Sequence, residues 1–210
     1  MKIAILPAQN YRRERWRNGA GWTREIVRLR AAGEGGWRPV DEDASSDDWD
    51  VRLSIAEIDK DCAFSAFPGI ERELVLLRGD GIELTFTDGR VVVVDPPHGR
   101  IRFAGADAPN CHLSYGPTHD FNLMWRPQRV EAQLLHRPLV GAMVFFAGAG
   151  VTWVAHLISG RAQFKDRADL APLQAGDSAL IGAGDAQRRR VILDGGGELL
   201  LVRLSPPGQD

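Results

Sequence analysis

Charged and amide side chains occur inside four segments that otherwise have the composition of buried β-strands. The segments read WRNGAGWTREI, WDVRLSIAEI, FSAFPGIER and GPTHDFNLMW, at residues 16–26, 49–58, 64–72 and 116–125. A buried charge is costly unless it is paired, hydrogen-bonded or in contact with a ligand. The four segments therefore predict one polar pocket inside an apolar β structure.

The alternation of side chains along a strand sorts each segment into two faces. Asp120, Asn122 and Met124 share one face of their segment, and Arg52 and Ser54 share one face of theirs. The residues that we predict to bind a ligand are Trp16, Asn18, Thr23, Arg24, Glu25, Arg52, Ser54, Arg72, Asp120, Asn122 and Met124.

The chemistry of this set favours a small polar ligand. The planar guanidinium of arginine donates two parallel hydrogen bonds to a carboxylate. Asn122 and Ser54 could fix an amide, formyl or imidazole group, and Trp16 could stack on a planar ligand. The alternative is a structural ion network, in which Arg52 pairs with Asp120 or Arg72 with Glu25. We favour the ligand site, because a purely structural core rarely contains so many polar groups.

No metal and no cofactor are expected. The chain has no histidine pair of the HxH type, and its two cysteines, Cys62 and Cys111, lack the spacing of a zinc site. His156 is an isolated histidine in its strand, and a lone histidine is more often a structural residue than a ligand. Both cysteines are expected to be reduced thiols.

Short β-rich runs separated by Gly, Pro and Asp must position these residues, which predicts an all-β sandwich or barrel. The predicted strands include Glu73–Leu77, Ile82–Phe86, Arg90–Val94, Met143–Phe146, Val151–Ile158, Ser178–Ile181 and Glu198–Leu204. A faint internal repeat of strand, glycine turn and strand resembles a cupin β-barrel, and its two copies resemble a bicupin. We place a first cupin-like barrel with the pocket at residues 1–127, including a mobile loop at residues 31–48. A second, degenerate barrel follows at residues 128–205, although the N-terminal strands could pair with it.

Composition narrows the class of partner. A formal net charge of −2 gives no electrostatic reason to expect nucleic acid or an anionic membrane as partner. The N-terminal residues lack a secretory core, and no run of about 18 apolar residues is present, which predicts a cytoplasmic protein. An exposed sheet edge could pair two chains in a homodimer.

The motifs resemble those of the HutD/Ves family over essentially the whole chain, most specifically through residue 126. The residues that carry the resemblance are Trp16, Asn18-Gly19, Gly21, Thr23-Arg24-Glu25-Ile26, Trp49, Arg52-Leu53-Ser54-Ile55-Ala56, Phe64-Ser65, Phe67-Pro68-Gly69, Arg72, Gly79, Phe103, Gly105, Asp107, Gly116-Pro117 and Asp120-Phe121-Asn122-Leu123-Met124. The resemblance implies a metal-free bicupin that tempers bacterial histidine utilisation by binding an intermediate such as urocanate or N-formyl-glutamate. The chain departs from the pattern at Ala20, Trp22, Cys62-Ala63 and Pro127, and Trp22 could narrow the pocket.

Three functions are compatible with these residues. The leading hypothesis is a metal-free protein that binds a small carboxylate metabolite and modulates a pathway. The second is a metal-independent isomerase, lyase or hydrolase, with Glu25 or Asp120 as general acid or base. The third is a bicupin interaction or stress module whose polar cluster is structural. The absence of an obvious nucleophile–base pair in the sequence disfavours the enzyme.

Overall fold

The computed structural model describes residues 2–32, 36–40, 48–148, 150–165, 167–182 and 189–208. The chain divides into two compact units. The terminal unit comprises Met1–Tyr11, Leu29–Asp48 and Gln128–Asp210, and the central unit comprises Arg12–Arg28 and Trp49–Pro127. The unit that contains most of the predicted pocket residues is therefore the central one.

The central unit is built from two sheets of antiparallel strands. Its strands are β2 (Arg12–Arg15), β3 (Gly21–Ala31, which continues into the terminal unit), β5 (Val51–Ile58), β6 (Cys62–Ala63), β7 (Glu71–Arg78), β8 (Ile82–Thr85), β9 (Val91–Val94), β10 (Arg100–Ala104), β11 (Asn110–Leu113) and β12 (Thr118–Trp125), with a 3-10 turn at Gly105–Asp107. The larger sheet has the order β10-β7-β12-β5-β3-β2, and the smaller has the order β6-β11-β8-β9. The β12 strand thus lies between β5 and β7, although it follows both of them in the chain.

The core of the central unit contains apolar side chains from both of its sheets. Ile58 and Leu76 come from the larger sheet, and Ile82, Leu84 and Cys111 come from the smaller one. These side chains belong to one cluster of buried residues, so the part of the larger sheet's inner face that they cover is removed from water. Any polar group on this inner face is removed from water and must find its partners inside the unit.

The strands of the terminal unit are β1 (Lys2–Leu6), β4 (Trp37–Pro39), β13 (Glu131–Ala147), β14 (Thr152–Phe164), β15 (Leu173–Gln174), β16 (Ser178–Gly182) and β17 (Arg189–Ser205), with a 3-10 turn at Ala8–Asn10. Six of them form one sheet in the order β1-β16-β14-β17-β13, with β15 paired to β14, whereas β4 pairs with Leu29–Ala31. The β1 strand pairs with β16, so the first residues of the chain join a sheet otherwise formed by its last third. The Tyr11 hydroxyl and Ser178 Oγ lie 2.7 Å apart, which fixes the end of this N-terminal segment.

The all-β prediction is confirmed, and each of the seven predicted runs lies in a strand or within one residue of it. The three sheets do not close into barrels over the residues that the structure describes. One segment differs from the expected mobile loop at residues 31–48. Trp37–Pro39 form β4, which pairs with Leu29–Ala31, because the Trp37 side chain is buried there. Residues 33–35 and 41–47 of that loop lie outside the described residues. Within the described ranges, no helix has the length and apolar character needed to span a membrane.

Candidate functional site

Polar side chains lie in register across three neighbouring strands on the inner face of the larger central sheet. Each of three rows takes one residue from β5, one from β12 and one from β7. The rows are Arg52, Met124 and Arg72; Ser54, Asn122 and Leu74; and Ala56, Asp120 and Leu76. Directly opposed residues point to the same face, and successive rows are spaced by about 7 Å along the strands. These polar residues therefore form one cluster, although their three strands are not consecutive in the sequence.

Arg72 is buried in this cluster with its side chain enclosed by aromatic rings. Only 7% of the residue is exposed. The rings of Phe64, Phe67 and Phe103 have their centroids 5.1, 5.8 and 5.0 Å from the guanidinium carbon. Its Nη2 donates a hydrogen bond of 2.9 Å to Oδ1 of Asn122, whereas the buried Nε has no hydrogen-bond partner. Aromatic faces attract a cation but do not neutralise it.

The charge of Arg72 has no counter-ion in the described part of the chain. No carboxylate forms an ion pair with Arg72 among the residues that the structure describes. Burial, together with the nearby positive charge of Arg52, lowers the pKa of Arg72 to about 10. The side chain remains a cation at neutral pH, so the cluster contains an uncompensated positive charge in a site of low polarity. An anion bound there would neutralise the guanidinium charge and accept a hydrogen bond from the Nε–H.

Glu25 bridges two other guanidinium groups at the edge of the cluster. Its Oε2 accepts a hydrogen bond of 2.9 Å from Nε of Arg52, and its Oε1 accepts one of 3.0 Å from Nε of Arg28. The side chains of Glu25 and Arg52 are 18% and 19% exposed, so this part of the cluster is in contact with solvent. Arg52 is thus already paired, in contrast to Arg72.

Asp120 is the most deeply buried acid of the cluster, with 0% of the residue exposed. Its Oδ2 accepts a hydrogen bond of 2.7 Å from the Thr118 hydroxyl, but its Oδ1 has no partner. Burial raises the pKa of Asp120 from its ordinary value of 3.8 to about 7, and the Thr118 hydrogen bond only partly opposes this shift. The carboxyl group is therefore able to lose or gain a proton near neutral pH.

Trp16, Asn18 and Thr23 lie toward the turn between β2 and β3. The indole Nε1 of Trp16 donates a hydrogen bond of 2.7 Å to Oγ1 of Thr23, and the Trp16 ring packs against the core cluster of the central unit. Oδ1 of Asn18 accepts a hydrogen bond from the backbone N–H of Ala20, and the residue is exposed. Asn18 therefore shapes the turn, which gives its amide a structural role at the N-terminal end of β3.

Arg24 is not brought into the cluster. Adjacent residues of a strand point to opposite faces, so Arg24 lies on the other face from Glu25. Its Nε lies 3.8 Å from Glu57, which also accepts a hydrogen bond of 2.5 Å from Nη2 of Arg13. The Arg13 guanidinium in turn stacks on Trp22, with its central carbon 4.1 Å from the ring centroid. These side chains form a separate, partly exposed network.

The two alternative ion pairs expected from the sequence are replaced by other contacts. Arg52 pairs with Glu25 rather than Asp120, and Arg72 bonds to Asn122 rather than Glu25. The strand order separates Glu25 on β3 from Arg72 on β7, and the register places Asp120 opposite Ala56, two rows away from Arg52.

Sequence reasoning missed five contributors to the cluster. They are Arg28, Phe64, Phe67, Phe103 and Thr118. The Thr-x-Asp spacing was the available signal for Thr118, since residues two apart share a face of a strand.

The two cysteines face each other across β6 and β11. Cys111 pairs in register with Cys62, and Cys111 is buried whereas Cys62 is half-buried. Burial raises the pKa of both thiols, most strongly for Cys111, where Cys62 and Asp120 add to the effect. Neither group is therefore present as the reactive thiolate near neutral pH.

Comparison with known proteins matches most of the chain to one family. The HutD family model matches residues 8–201. An uncharacterised 21.2 kDa protein in the hutC 3' region of Pseudomonas putida is 38% identical over 133 residues, which is 63% of this chain and 63% of that protein. The Ves protein of Citrobacter koseri is 33% identical over 153 residues, covering 72% of this chain and 71% of Ves.

Solved structures give the same family and extend the fold comparison. The structure of HutD from Pseudomonas fluorescens SBW25, in a formate condition, has a TM-score of 0.77 at 28% identity and covers 99% of this chain and 100% of its own. The bacterial pirin YhhW from Escherichia coli, in complex with nickel(II), has a TM-score of 0.66 at 11% identity, covering 98% of this chain and 100% of its own. The second similarity concerns the fold alone, which is cupin-like and all-β.

Proposed function

The chain belongs to the HutD family, and from this premise we propose that it is a metal-independent protein that binds a small carboxylate metabolite. The ligand we propose is an intermediate of histidine utilisation, either urocanate or N-formyl-glutamate, and its binding modulates that pathway. We also propose that the two compact units correspond to the two modules of a bicupin. The association with histidine utilisation rests on the names of the relatives. The cytoplasmic location and the homodimer expected from the sequence remain predictions.

The observation that supports this proposal is the buried guanidinium of Arg72. It carries a positive charge, has a free Nε–H, and has no carboxylate partner within the described part of the chain. Removing one partner of a buried ion pair costs about 3–5 kcal/mol, so a protein rarely retains a lone buried cation without a use for it. A carboxylate fits the fork of the guanidinium, satisfies the free N–H and neutralises the charge.

The residues around Arg72 favour a small ligand. The row that contains Arg72 also contains Met124 and Arg52, and Ser54 and Asn122 form the next row. Three phenyl rings lie against the Arg72 guanidinium, while Glu25 holds Arg52 at the partly exposed side of the cluster. Within the described residues, this arrangement offers a cation without a counter-ion, neutral hydrogen-bonding groups and apolar side chains, as small-molecule sites commonly do.

Ligand-induced thermal stabilisation tests the proposal. The purified protein is screened against formate, urocanate, N-formyl-glutamate, glutamate and histidine. A ligand at 100 times its Kd should raise the free energy of unfolding by about 2.7 kcal/mol, which is a clear increase in Tm. The Arg72→Met variant should lose this increase. Arg78→Met is the matched control, because Arg78 is an exposed arginine of the same strand and should leave the increase unchanged.

Two outcomes of this screen would contradict the proposed function. An increase in Tm that persists in Arg72→Met would move the binding site elsewhere and remove the basis of the proposal. No increase with any of the five carboxylates would separate this chain from the proposed ligands.

Asp120 supports a second candidate function, that of a metal-independent enzyme acting on the same ligand. A carboxyl group with a pKa of about 7 is suited to general acid or base catalysis at neutral pH. The test is a time course by nuclear magnetic resonance of whichever carboxylate binds, incubated with the wild-type protein and with Asp120→Asn. Conversion by the wild type alone supports an enzyme, and an unchanged ligand spectrum after long incubation with wild-type protein supports a binding protein.

A further inference from the structure

Two buried polar atoms of the cluster have no hydrogen-bond partner among the residues that the structure describes, and one is a donor and the other an acceptor. Nε of Arg72 is a hydrogen-bond donor and Oδ1 of Asp120 is a hydrogen-bond acceptor. Each unsatisfied buried group destabilises the fold, and the cost is larger when the group is charged. The two atoms lie on the same face of the same sheet, so a single ligand could satisfy both of them.

The strand register places the two groups close to each other. Asp120 and Asn122 are two residues apart on β12, so their side chains are on the order of 7 Å apart along the strand. The Arg72 guanidinium reaches Asn122 with a hydrogen bond of 2.9 Å. The Arg72 guanidinium therefore contacts the row next to that of Asp120, and Asn122 lies in register between the two residues.

The protein itself offers Asp120 little compensation. Its neighbours in register are Ala56 on β5 and Leu76 on β7, both apolar. Thr118 satisfies Oδ2, and Asp120 forms no ion pair with any cation in the described ranges of the chain. An external hydrogen-bond donor is what Oδ1 lacks.

We infer that Asp120 is the second recognition point of this site and that the ligand is a short carboxylate bearing an O–H or N–H donor. The carboxylate end binds Arg72, and the donor, a few atoms away along the ligand, donates to Oδ1 of Asp120. This inference rests on the proposed carboxylate site at Arg72 and adds the chemical class of the rest of the ligand. It makes Asp120 a specificity-determining residue, because a carboxylate without the donor would leave Oδ1 unsatisfied.

A series of four-carbon acids that differ only in one hydroxyl group tests the inference. Calorimetric Kd values are measured for butyrate and for 2-, 3- and 4-hydroxybutyrate. At least one hydroxybutyrate should bind the wild-type protein about tenfold more tightly than butyrate, since a hydrogen bond to a charged group is worth this much. In Asp120→Leu, the leucine side chain is apolar like those of the neighbouring Ala56 and Leu76. Butyrate should still bind this variant, and the ratio of the butyrate Kd to the hydroxybutyrate Kd should fall to about 1.

The same series separates this inference from the proposed function. If Arg72→Met weakens all four acids but the wild type binds butyrate as tightly as every hydroxybutyrate, the carboxylate site stands and the role of Asp120 is wrong. If the preference survives in Asp120→Leu, the donor binds elsewhere and the inference also fails. If urocanate or N-formyl-glutamate binds but none of the four acids does, the proposed function stands and this inference fails. If neither the four acids nor any of formate, urocanate, N-formyl-glutamate, glutamate and histidine binds, the proposed function fails and this inference with it.

A second variant, Asp120→Asn, tests the inference even if Asp120→Leu does not fold. Asp120→Asn retains the size and hydrogen-bonding shape of the side chain and removes only its charge. The hydroxyl preference should be clearly smaller in Asp120→Asn than in the wild type, because the acceptor is then neutral. An unchanged preference in a folded Asp120→Asn protein would overturn the role of the carboxylate. Circular dichroism of each variant verifies its fold.

Discussion

The Nη2 atom of Arg72 donates a hydrogen bond of 2.9 Å to Oδ1 of Asn122, a neutral amide. A neutral acceptor orients the guanidinium but leaves its charge uncompensated. The same bond fixes the guanidinium close to the middle row of the cluster, one row away from Asp120. The orientation of Arg72 is therefore set before any ligand binds, and such preorganisation lowers the cost of binding.

Replacing Arg72 by methionine should separate stability from binding. Methionine fills much of the same volume between the phenyl rings and removes a buried charge, although Asn122 loses its donor. These effects oppose each other, so the unliganded free energy of unfolding should change by less than about 1 kcal/mol in urea titrations. Carboxylate-dependent stabilisation should be absent. A loss of several kcal/mol without ligand would mean that Arg72 is a structural residue.

The stability of the unliganded protein should fall as the pH rises through neutrality because of Asp120. Its pKa is raised from 3.8 to about 7 in the folded state, so between these values the folded protein binds more protons than the unfolded chain. The contribution of Asp120 is therefore fully present below about pH 4 and lost as the pH rises through 7, with a size on the order of 4 kcal/mol. Cys111, which interacts electrostatically with Asp120, has a raised thiol pKa and stays protonated across this range.

Urea unfolding of the wild type and of Asp120→Asn between pH 5 and pH 8 measures this effect. The difference in free energy of unfolding should shift in favour of Asp120→Asn as the pH increases, because the variant has no carboxylate to bury. Parallel pH profiles for the two proteins would show that Asp120 does not titrate in this interval.

Alternation along the strands predicted which side chains share a face. Arg52 and Ser54, and likewise Asp120 and Asn122, were assigned to common faces, and the register places all four on the same face of the sheet. This part could be predicted because the period of two is a local property of an extended backbone. The same alternation puts Arg24 and Glu25 on different faces of their strand. The position of Arg24 outside the cluster could therefore also be predicted from the sequence.

Pairing between strands could not be predicted in the same way. Asn122 lies beside Arg72 because β12 is inserted between β5 and β7, and strand order depends on contacts distant in sequence. The Arg28 contact was missed for another reason. Arg28 is three residues from Glu25, hence nominally on the opposite face, yet its long side chain reaches the Glu25 carboxylate. Likewise, Trp37 was placed in a loop because a three-residue strand has no detectable periodicity.

Removing the charge of Glu25 should destabilise the fold. In Glu25→Gln the guanidinium groups of Arg28 and Arg52 lose the carboxylate that bridges them at 3.0 and 2.9 Å. Since Glu25 is partly exposed, the loss should be about 2 kcal/mol in the free energy of unfolding, below the range for fully buried pairs. Glu14→Gln is the control, because the Arg12–Glu14 pair is exposed on both sides and should contribute less than about 0.5 kcal/mol. Equal effects of the two substitutions would contradict a special role for the Glu25 bridge.

Gly197 in β17 should be among the least replaceable residues of the terminal unit. Its φ is +137°, and a Cβ added there would lie 1.8 Å from the backbone oxygen of Ser159 in β14. Backbone cannot move aside as a flexible side chain can, so Gly197→Ala must open the β14–β17 ladder next to its register shift between Leu157 and Ser159. Strain in the backbone and steric overlap together should cost about 3 kcal/mol or more in the free energy of unfolding.

Gly141→Ala isolates the steric part of this cost. Gly141 also has a positive φ, of +76°, and lies in β13 of the same sheet, but a Cβ there would meet no atom within 4 Å. Its replacement should therefore cost only the backbone strain, about 1 kcal/mol, in the same urea titration. Equal stability of the two alanine variants would contradict the view that the close approach of β14 to β17 requires glycine at position 197.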